Sequence, residues 1–480
     1  MDRHEVVAVL PLSARFTWKE NGETGERDTN ARVYSQGFKD PREMPTYTGI
    51  PNIHSIYIAI IYMLSKDFSM MKTDVSGAFL QDSPDFPDKK PKELSKFTDE
   101  QYKIVKKKRK ELKEGEIYIA DKALYGGPGL ARIFSTKAKT ELKELGFEEI
   151  DESIHVQRET NTNEVNAVIY HHVDDFKGGA MDIEEIFSKY RHRLSLGSLV
   201  RVVDGEVAKF VGIEQMRQGK KMFLSQASFL NLLCIDDLLP EKKHVVREED
   251  MKVSEDDMID LSLKPCYQSL IGTLGWAVRT QPKVQPFFSI LSSRANCISK
   301  KLMECLALVL QALKERPFSL ELRGIDISTL LLYIFNDSSF FTLSKEGRQA
   351  WMHFLVDATW RLESDDEWNL VTCGSKRTKQ KFISSTSCEM VSMVDGVKAA
   401  YKTRDIAFRL FGKLPRVIVV MDSKPLYDQI ESGLARSEPR MQGTLDYLMQ
   451  EIGGEGLDAQ VVWVKRELQR ADVLTRAVWW

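Results

Sequence analysis

Asn166-Ala167-Val168-Ile169-Tyr170-His171-His172-Val173-Asp174-Asp175-Phe176-Lys177-Gly178-Gly179-Ala180 is the stretch against which the other segments take their places. Val168 to Val173 is β-branched and aromatic, a composition that suits a strand. The run stops at two adjacent acids, Asp174 and Asp175, with Gly178-Gly179 close behind, so the segment predicts a hairpin tip that presents carboxylates. Two like charges this close resist joint ionisation unless a cation shares them. A divalent metal such as Mg²⁺, held by one or two carboxylates plus substrate phosphates, meets that need. The plainer reading is that Asp-Asp is turn chemistry. The remaining chain decides between them.

The chain has 480 residues, enough for about two to four domains. Its hydrophobic content of 42% and charged content of 29% are those of an ordinary soluble globular protein. A net charge of −2 gives no general attraction to nucleic acid, so a polyanion must meet local basic patches. The six cysteines (234, 266, 297, 305, 373 and 388) include no Cys-x-x-Cys pair. That argues against a zinc site and a disulfide framework and fits a reducing compartment. The longest apolar run, around Ile56–Leu64, is too short to span a bilayer, and the N-terminus lacks the order of a signal peptide. The expectation is an intracellular, soluble protein without a membrane partner, for which a cytoplasmic particle and a nucleus both fit.

On the N-terminal side, Val6–Leu12, Arg15–Lys19 and Thr29–Phe38 predict strands, the last holding Arg32, whose side chain could reach a phosphate or merely face solvent. Ile53–Leu64 predicts a buried helix. Asp74 ends a short strand and precedes a small-residue turn, where an acid can approach a ligand closely. Its plainer role is a helix N-cap. Asp82–Pro91 predicts a loop, and the Lys103–Lys113 charge run a solvated face. Lys122–Ala131 holds Gly126, Gly127, Gly129 and Pro128, so its backbone can pass close to a ligand. Phe134–Leu145 predicts a helix stopped by Gly146.

Beyond the acid hairpin, Asp182–Tyr190 predicts a helix, and Val207–Gln215 with Lys221–Gln226 a strand pair across Arg217–Lys220. Ala227–Leu233 starts a helix, Pro240–Asp260 is a linker candidate, and Cys266–Val278 and Phe287–Leu313 are helical. The C-terminal third repeats an α/β pattern on its own. Ser328–Phe335 is a strand delivering Asp337, and Met352–Thr359 and Asn369–Cys373 are two more. Ser384–Phe411 is a helix with Glu389 on an early turn and apolar residues at helical spacing. Val417–Met421 ends at Asp422, Ala459–Val464 is the last strand, and Asp472 lies near the start of a final short helix. A lone Asp is mostly a cap or turn residue, but a two-metal site needs this density of carboxylate, and the element order lets all four acids converge on one sheet edge.

These blocks, taken together, resemble the polymerase end of a copia-type LTR-retrotransposon polyprotein, a reverse transcriptase followed by ribonuclease H. The resemblance covers nearly the whole chain and keeps the family's order. It rests on Asn30–Phe38, Thr73–Leu80, Lys122–Gly126, His172–Asp175, Phe210–Glu214, Phe223–Gln226 and Tyr267–Leu274. It continues through Ser384-Ser385-Thr386 with Glu389, Asp422-Ser423 and Ala471-Asp472-Val473-Leu474-Thr475. The resemblance implies a mixed α/β (α+β) chain: right-hand fingers and palm over 1–240, a helical thumb or connection over 241–327, and a ribonuclease H-like domain over 328–480.

It further implies that Asp74, Asp174 and Asp175 are the polymerase carboxylates, with Asp74 and Asp174 holding a pair of Mg²⁺ ions. Arg32 would contact the triphosphate, Phe79 would pack under the incoming sugar, and Gly126 would lie where backbone nears nucleotide or template. Asp337, Glu389, Asp422 and Asp472 would hold a second metal pair that activates water against the RNA strand of an RNA–DNA hybrid. Mn²⁺ is the alternative ion. The implied partners are an RNA template, a DNA primer, the hybrid and deoxynucleoside triphosphates, and a homodimer is compatible with them. Three departures stand out. His172 replaces the family's Tyr at the primer end, Gly127–Phe134 is altered and lacks Trp, and Asp82–Lys113 is a lysine-rich insertion-like stretch. They leave open a fragment of a longer polyprotein, a decayed nucleic-acid-binding descendant, and a nuclease in which only the C-terminal unit works.

Overall fold

The computed structural model describes residues 9–20, 27–39, 46–75, 78, 94–96, 118–119, 125–127, 129–253, 258–316, 320–340, 347–364, 369–378, 382–436 and 438–477. In chain order the first part runs β1 (Val9–Glu20), β2 (Arg27–Ser35), α1 (Ile53–Ser65), β3 (Ser69–Asp74), β4 (Leu94–Lys96) and β5 (Tyr118–Ile119). Then come α2 (Leu130–Glu144), β6 (Phe147–Asp151), β7 (Ile154–Arg158), β8 (Val165–His172), β9 (Asp175–Ala180), α3 (Ile183–Arg191) and β10 (Val200–Arg201). The middle comprises β11 (Val207–Phe210), β12 (Ile213–Gln218), β13 (Lys221–Ser225), α4 (Ala227–Asn231), α5 (Lys264–Ala277), α6 (Gln285–Ser293), α7 (Lys300–Glu315) and β14 (Leu320–Arg323). The last part is β15 (Leu331–Ser339), β16 (Arg348–Val356), β17 (Leu370–Arg377), α8 (Ser385–Phe411), β18 (Arg416–Met421), α9 (Lys424–Ser432), α10 (Gln442–Ile452), β19 (Gln460–Trp463) and α11 (Asp472–Thr475). The described residues are mixed α/β and form four sheets.

The first sheet has the order β2-β1-β4-β5. Two strands were expected over 6–19, but one continuous strand forms, because Ser13 and Ala14 pair with Tyr34 and Val33 and the ladder never breaks. The strand expected to reach Phe38 stops at Ser35, whose N–H turns to Tyr125 O at 2.6 Å. The second sheet has the order β10-β3-β9-β8-β7-β6 and carries the acid hairpin. His172 pairs with Asp175, so Val173 and Asp174 alone form the turn. Val173 takes φ +53°. Positive φ at the first central position is the type II′ pattern that Gly normally occupies, so a β-branched residue stores strain of about 1–3 kcal/mol there.

The third sheet, β11-β12-β13-β14, has one strand more than expected over 207–226, because Val211 (φ +46°) and Gly212 (φ +72°) reverse the chain within two residues. Helices α4 to α7 share a separate apolar core that includes Val246 and Met251. Over residues 240–253 the linker candidate is therefore packed: those two apolar residues anchor it among its charges. The helix expected over Phe287–Leu313 is two, α6 and α7, and Ser299 caps the second by accepting from Leu302 N–H.

The fourth sheet has the order β17-β16-β15-β18-β19, antiparallel through β17, β16 and β15, then parallel through β18 and β19. Helix α8 lies on β15 and β16. Between this sheet and the second lies α1, buried at every residue from Ser55 to Leu64 because it is apolar all round. Hydrogen bonds tie it to its surroundings: Tyr62 Oη donates to Val165 O (2.6 Å), Tyr57 Oη to Arg279 O (2.7 Å) and Ser55 Oγ to Asp151 Oδ2 (2.5 Å), Ser65 Oγ accepts from Ile325 N–H (2.9 Å), and His54 Nδ1 meets Thr372 Oγ1 (3.1 Å). Among the described residues no helix is long and apolar enough to cross a membrane, and all six cysteines are free thiols.

Candidate active site

Parallel pairing of β15 and β18 ends at Phe335 with Val420; two residues further along the chain come Asp337, still on β15, and Asp422, just past the end of β18. Strand register alone thus sets two carboxylates side by side at one sheet edge. Asp337 was expected just past its strand; β15 instead runs on to Ser339, so Asp337 is held in the ladder opposite Ala350. Helix α8 supplies the third acid. Ser384 caps it by accepting from Ser387 N–H, and Glu389 follows in the early turns. Oxygens of Asp337, Glu389 and Asp422 all lie within 4.8 Å of one another, and among the described residues this is the only such group of three.

Burial pushes the Asp337 carboxyl up to about 7, reinforced by the charges of Asp422 and Asp472 and opposed by the Thr475 hydroxyl. Burial also carries Glu389 well above the usual carboxylate range, with Asp337 and Asp422 adding to it. Two carboxyls held up by burial and by neighbouring negative charge fit a shared divalent cation, which removes the repulsion and supplies the missing partner.

Side chains around the cluster fix its geometry. Thr475 Oγ1 donates to Asp337 Oδ2 at 2.6 Å, Ser392 Oγ donates to Asp337 O at 2.7 Å, and Trp463 Nε1 donates to Asp422 O at 3.0 Å. Asp472 opens α11 beside the cluster but outside the converging three, with Arg466 and Arg476 each 3.3 Å from its Oδ1. Burial raises its carboxyl, Arg466 opposes that, and Asp422 adds to it. Thr475, Ser392, Trp463, Arg466 and Arg476 carried no assignment from sequence. Thr475 stands in the block 471–475 that was read only for its acid.

The second group of acids is arranged differently. Asp74 lies opposite Asp175 in the β3–β9 ladder, and Val75 N–H donates to Asp174 O at 2.8 Å. The three backbones meet, but the carboxylates do not converge as the other three do. Asp74 and Asp174 face solvent, whereas Asp175 is drawn inward to Lys72 Nζ (3.5 Å) and Val211 N–H (3.4 Å). Burial raises Asp175, against the pull of Lys72. Gly197 closes over Asp74: a Cβ there would lie 2.2 Å from Asp74 Oδ1. His172 is half-buried, with Nδ1 buried and unpartnered.

Gly126 has φ +85° and no room for a side chain, since a Cβ would meet Ser35 O at 2.3 Å. The close approach it permits in this structure is to β2. Arg32 sits on β2 opposite Arg15 by its backbone; its side chain and the whole of Phe79 lie outside the described residues.

No family model matches the sequence, and no curated protein matches it. Solved structures give partial likenesses. One is LC11-RNase H1 in complex with an RNA/DNA hybrid, at 16% identity and TM-score 0.23 over 30% of this chain and 92% of that one. Another is the N-terminal ribonuclease H domain of a Mycobacterium tuberculosis protein fused to maltose-binding protein, at 15% identity and TM-score 0.23 over 31% and 91%. A third is RNase H1 from Halobacterium salinarum, at 16% identity and TM-score 0.21 over 30% and 92%. Likenesses this weak carry no activity across to this chain, and none bears on a polymerase or a retrotransposon origin.

Proposed function

We propose that this chain is a divalent-metal-dependent nuclease of the ribonuclease H type, cutting the RNA strand of an RNA–DNA hybrid. The convergence of Asp337, Glu389 and Asp422 within 4.8 Å, with Asp472 beside them, supports the reading most. Asp337, Glu389, Asp422 and Asp472 would hold the metal, Mg²⁺ or Mn²⁺. Bound there, it would polarise a phosphodiester and lower the pKa of an attacking water. Thr475 and Ser392 orient Asp337, and the Trp463 indole holds the Asp422 backbone. Discrimination for RNA follows if contacts to the 2′-hydroxyl position the scissile phosphate. The test is Mg²⁺-dependent cleavage of one labelled RNA presented alone, paired to RNA and paired to DNA. Cutting confined to the DNA-paired form is expected; equal cutting of all three would leave a nuclease without hybrid specificity.

A second reading adds RNA-directed DNA polymerase activity at Asp74, Asp174 and Asp175, in a copia-type arrangement. Fingers and palm would occupy roughly 1–240, a helical connection 241–327, and the nuclease unit would follow from 328. The observation that favours it is the pairing of Asp74 with Asp175 beside a strained two-residue turn that lifts Asp174 to the tip. Template, primer, deoxynucleoside triphosphates and a metal pair on Asp74 and Asp174 belong to this reading. Primer extension on an RNA template, beside an Asp174→Asn control, tests it. A folded chain that cuts hybrids and extends nothing would leave the nuclease alone.

A further inference from the structure

Asp472 is the one acid of the four that stays outside the converging group, and it is also the one held by two guanidinium groups. Arg466, six residues before it, and Arg476, four after it, each place Nη2 3.3 Å from Asp472 Oδ1. The arginine side chains are 56% and 48% exposed, while Asp472 is 28% exposed. Its tie to the cluster is electrostatic, to both Asp337 and Asp422. Thr475 fixes the same short helix to Asp337, so α11 stands against the cluster whatever Asp472 does.

Resting on the nuclease reading, we propose that Arg466 and Arg476 form a latch on Asp472, which a substrate phosphate opens. Two positive charges on one carboxylate supply the neutralisation that a metal would otherwise supply. Ion pairs this exposed are weak and exchangeable. A phosphodiester offers the same arginines a carboxylate-like pair of oxygens in bidentate geometry. When the hybrid backbone takes the guanidinium groups, Asp472 loses both partners beside Asp422 and becomes free to ligate. Full metal loading is then coupled to substrate, and the empty nuclease holds one ion rather than two.

The experiment is a calorimetric titration of Mn²⁺ into the metal-free full chain, the Arg466→Gln/Arg476→Gln double variant and a Glu389→Gln control. The unmodified chain is expected to take up one tightly bound Mn²⁺. The double variant should gain a second site about tenfold tighter than any second site of the unmodified chain, the scale on which outer-shell partners change metal affinity. Its KM for hybrid should rise, because the arginines no longer reach phosphate. An Arg466→Lys/Arg476→Lys chain should restore the single-ion isotherm. Superimposable isotherms for the double variant and the unmodified chain would overturn the latch. An isotherm unchanged by Glu389→Gln would overturn the nuclease reading itself, and the latch with it.

Discussion

The Thr475 hydroxyl donates a 2.6 Å hydrogen bond to Asp337 Oδ2, joining the last helix to the middle strand of the C-terminal sheet. Thr475 is 1% exposed and Asp337 4% exposed, so neither atom has water as a ready substitute. The bond occupies one lone pair of the carboxylate that lies within 4.8 Å of those of Glu389 and Asp422.

Thr475→Val keeps the shape and removes the donor. A hydrogen bond to a charged group contributes about 1.5–3 kcal/mol, so hybrid cleavage should fall about tenfold to a hundredfold. Because the hydroxyl lowers the Asp337 pKa, its loss should move the acid limb of the pH–rate profile upward. Thr475→Ser should recover both. An unmoved profile would reduce Thr475 to packing.

The raised Asp337 pKa also fixes the sign of a stability effect. An Asp in the unfolded chain titrates near ~3.9, and in the metal-free fold Asp337 titrates at about 7. Between these values the folded state holds a proton that the unfolded state has released, so stability must fall as pH rises through that window. Thermal melts of the metal-free chain should show this fall from about pH 4 to about pH 7, and saturating Mg²⁺ should reduce it. Asp337→Asn should make it shallower, leaving the part due to the raised Glu389, and raise metal-free stability at pH 8 by up to about 4 kcal/mol, while abolishing cleavage.

Gly197→Ala tests the second acid group by itself. The added Cβ would lie 2.2 Å from Asp74 Oδ1, forcing that carboxylate to move. If Asp74 serves polymerisation, primer extension should drop by more than about tenfold, since a misplacement on the ångström scale costs up to a hundredfold. Hybrid cleavage should stay within about twofold, the ordinary range for distant, independent sites. Equal loss of both activities would point to a folding defect.

Helix α1 couples the two sheets. Ile60 is fully buried in a core that runs from the second sheet into the C-terminal sheet. Ile60→Ala should therefore cost about 2–5 kcal/mol. Urea unfolding followed by far-UV circular dichroism and by tryptophan fluorescence should shift to lower denaturant by the same amount in both signals. A shift confined to one signal would mean that the halves unfold separately.

Much of this was legible in the sequence, for reasons that differ from site to site. The hairpin at Val168–Ala180 was readable because strand chemistry stops abruptly at paired acids. The C-terminal acids stand out in sequence because three follow apolar strands or open a helix and Glu389 lies on an early helical turn; parallel pairing of β15 with β18 then brings Asp337 to Asp422. What sequence did not disclose depends on contacts between distant segments. Nothing local marks Thr475 as a partner of Asp337, 138 positions away, or Gly126 as the residue that lets Ser35 approach. Val173 and Val211 hide their turns because β-branched residues rarely take positive φ. Asp175 was expected among the catalytic carboxylates at the hairpin tip, but Lys72 lies two residues before Asp74 on the neighbouring strand and draws it inward.

The most direct measurement is cleavage of a 5′-labelled RNA annealed to DNA, with Mg²⁺, by the full chain beside Asp337→Asn and Glu389→Gln. The unmodified chain should cut the RNA, and each variant should lose at least about a thousandfold in rate, as expected when a group essential to a two-metal centre is removed. Cleavage that persists in both folded variants would place the chemistry elsewhere, and a folded, metal-loaded chain that leaves the hybrid intact would contradict the nuclease assignment outright.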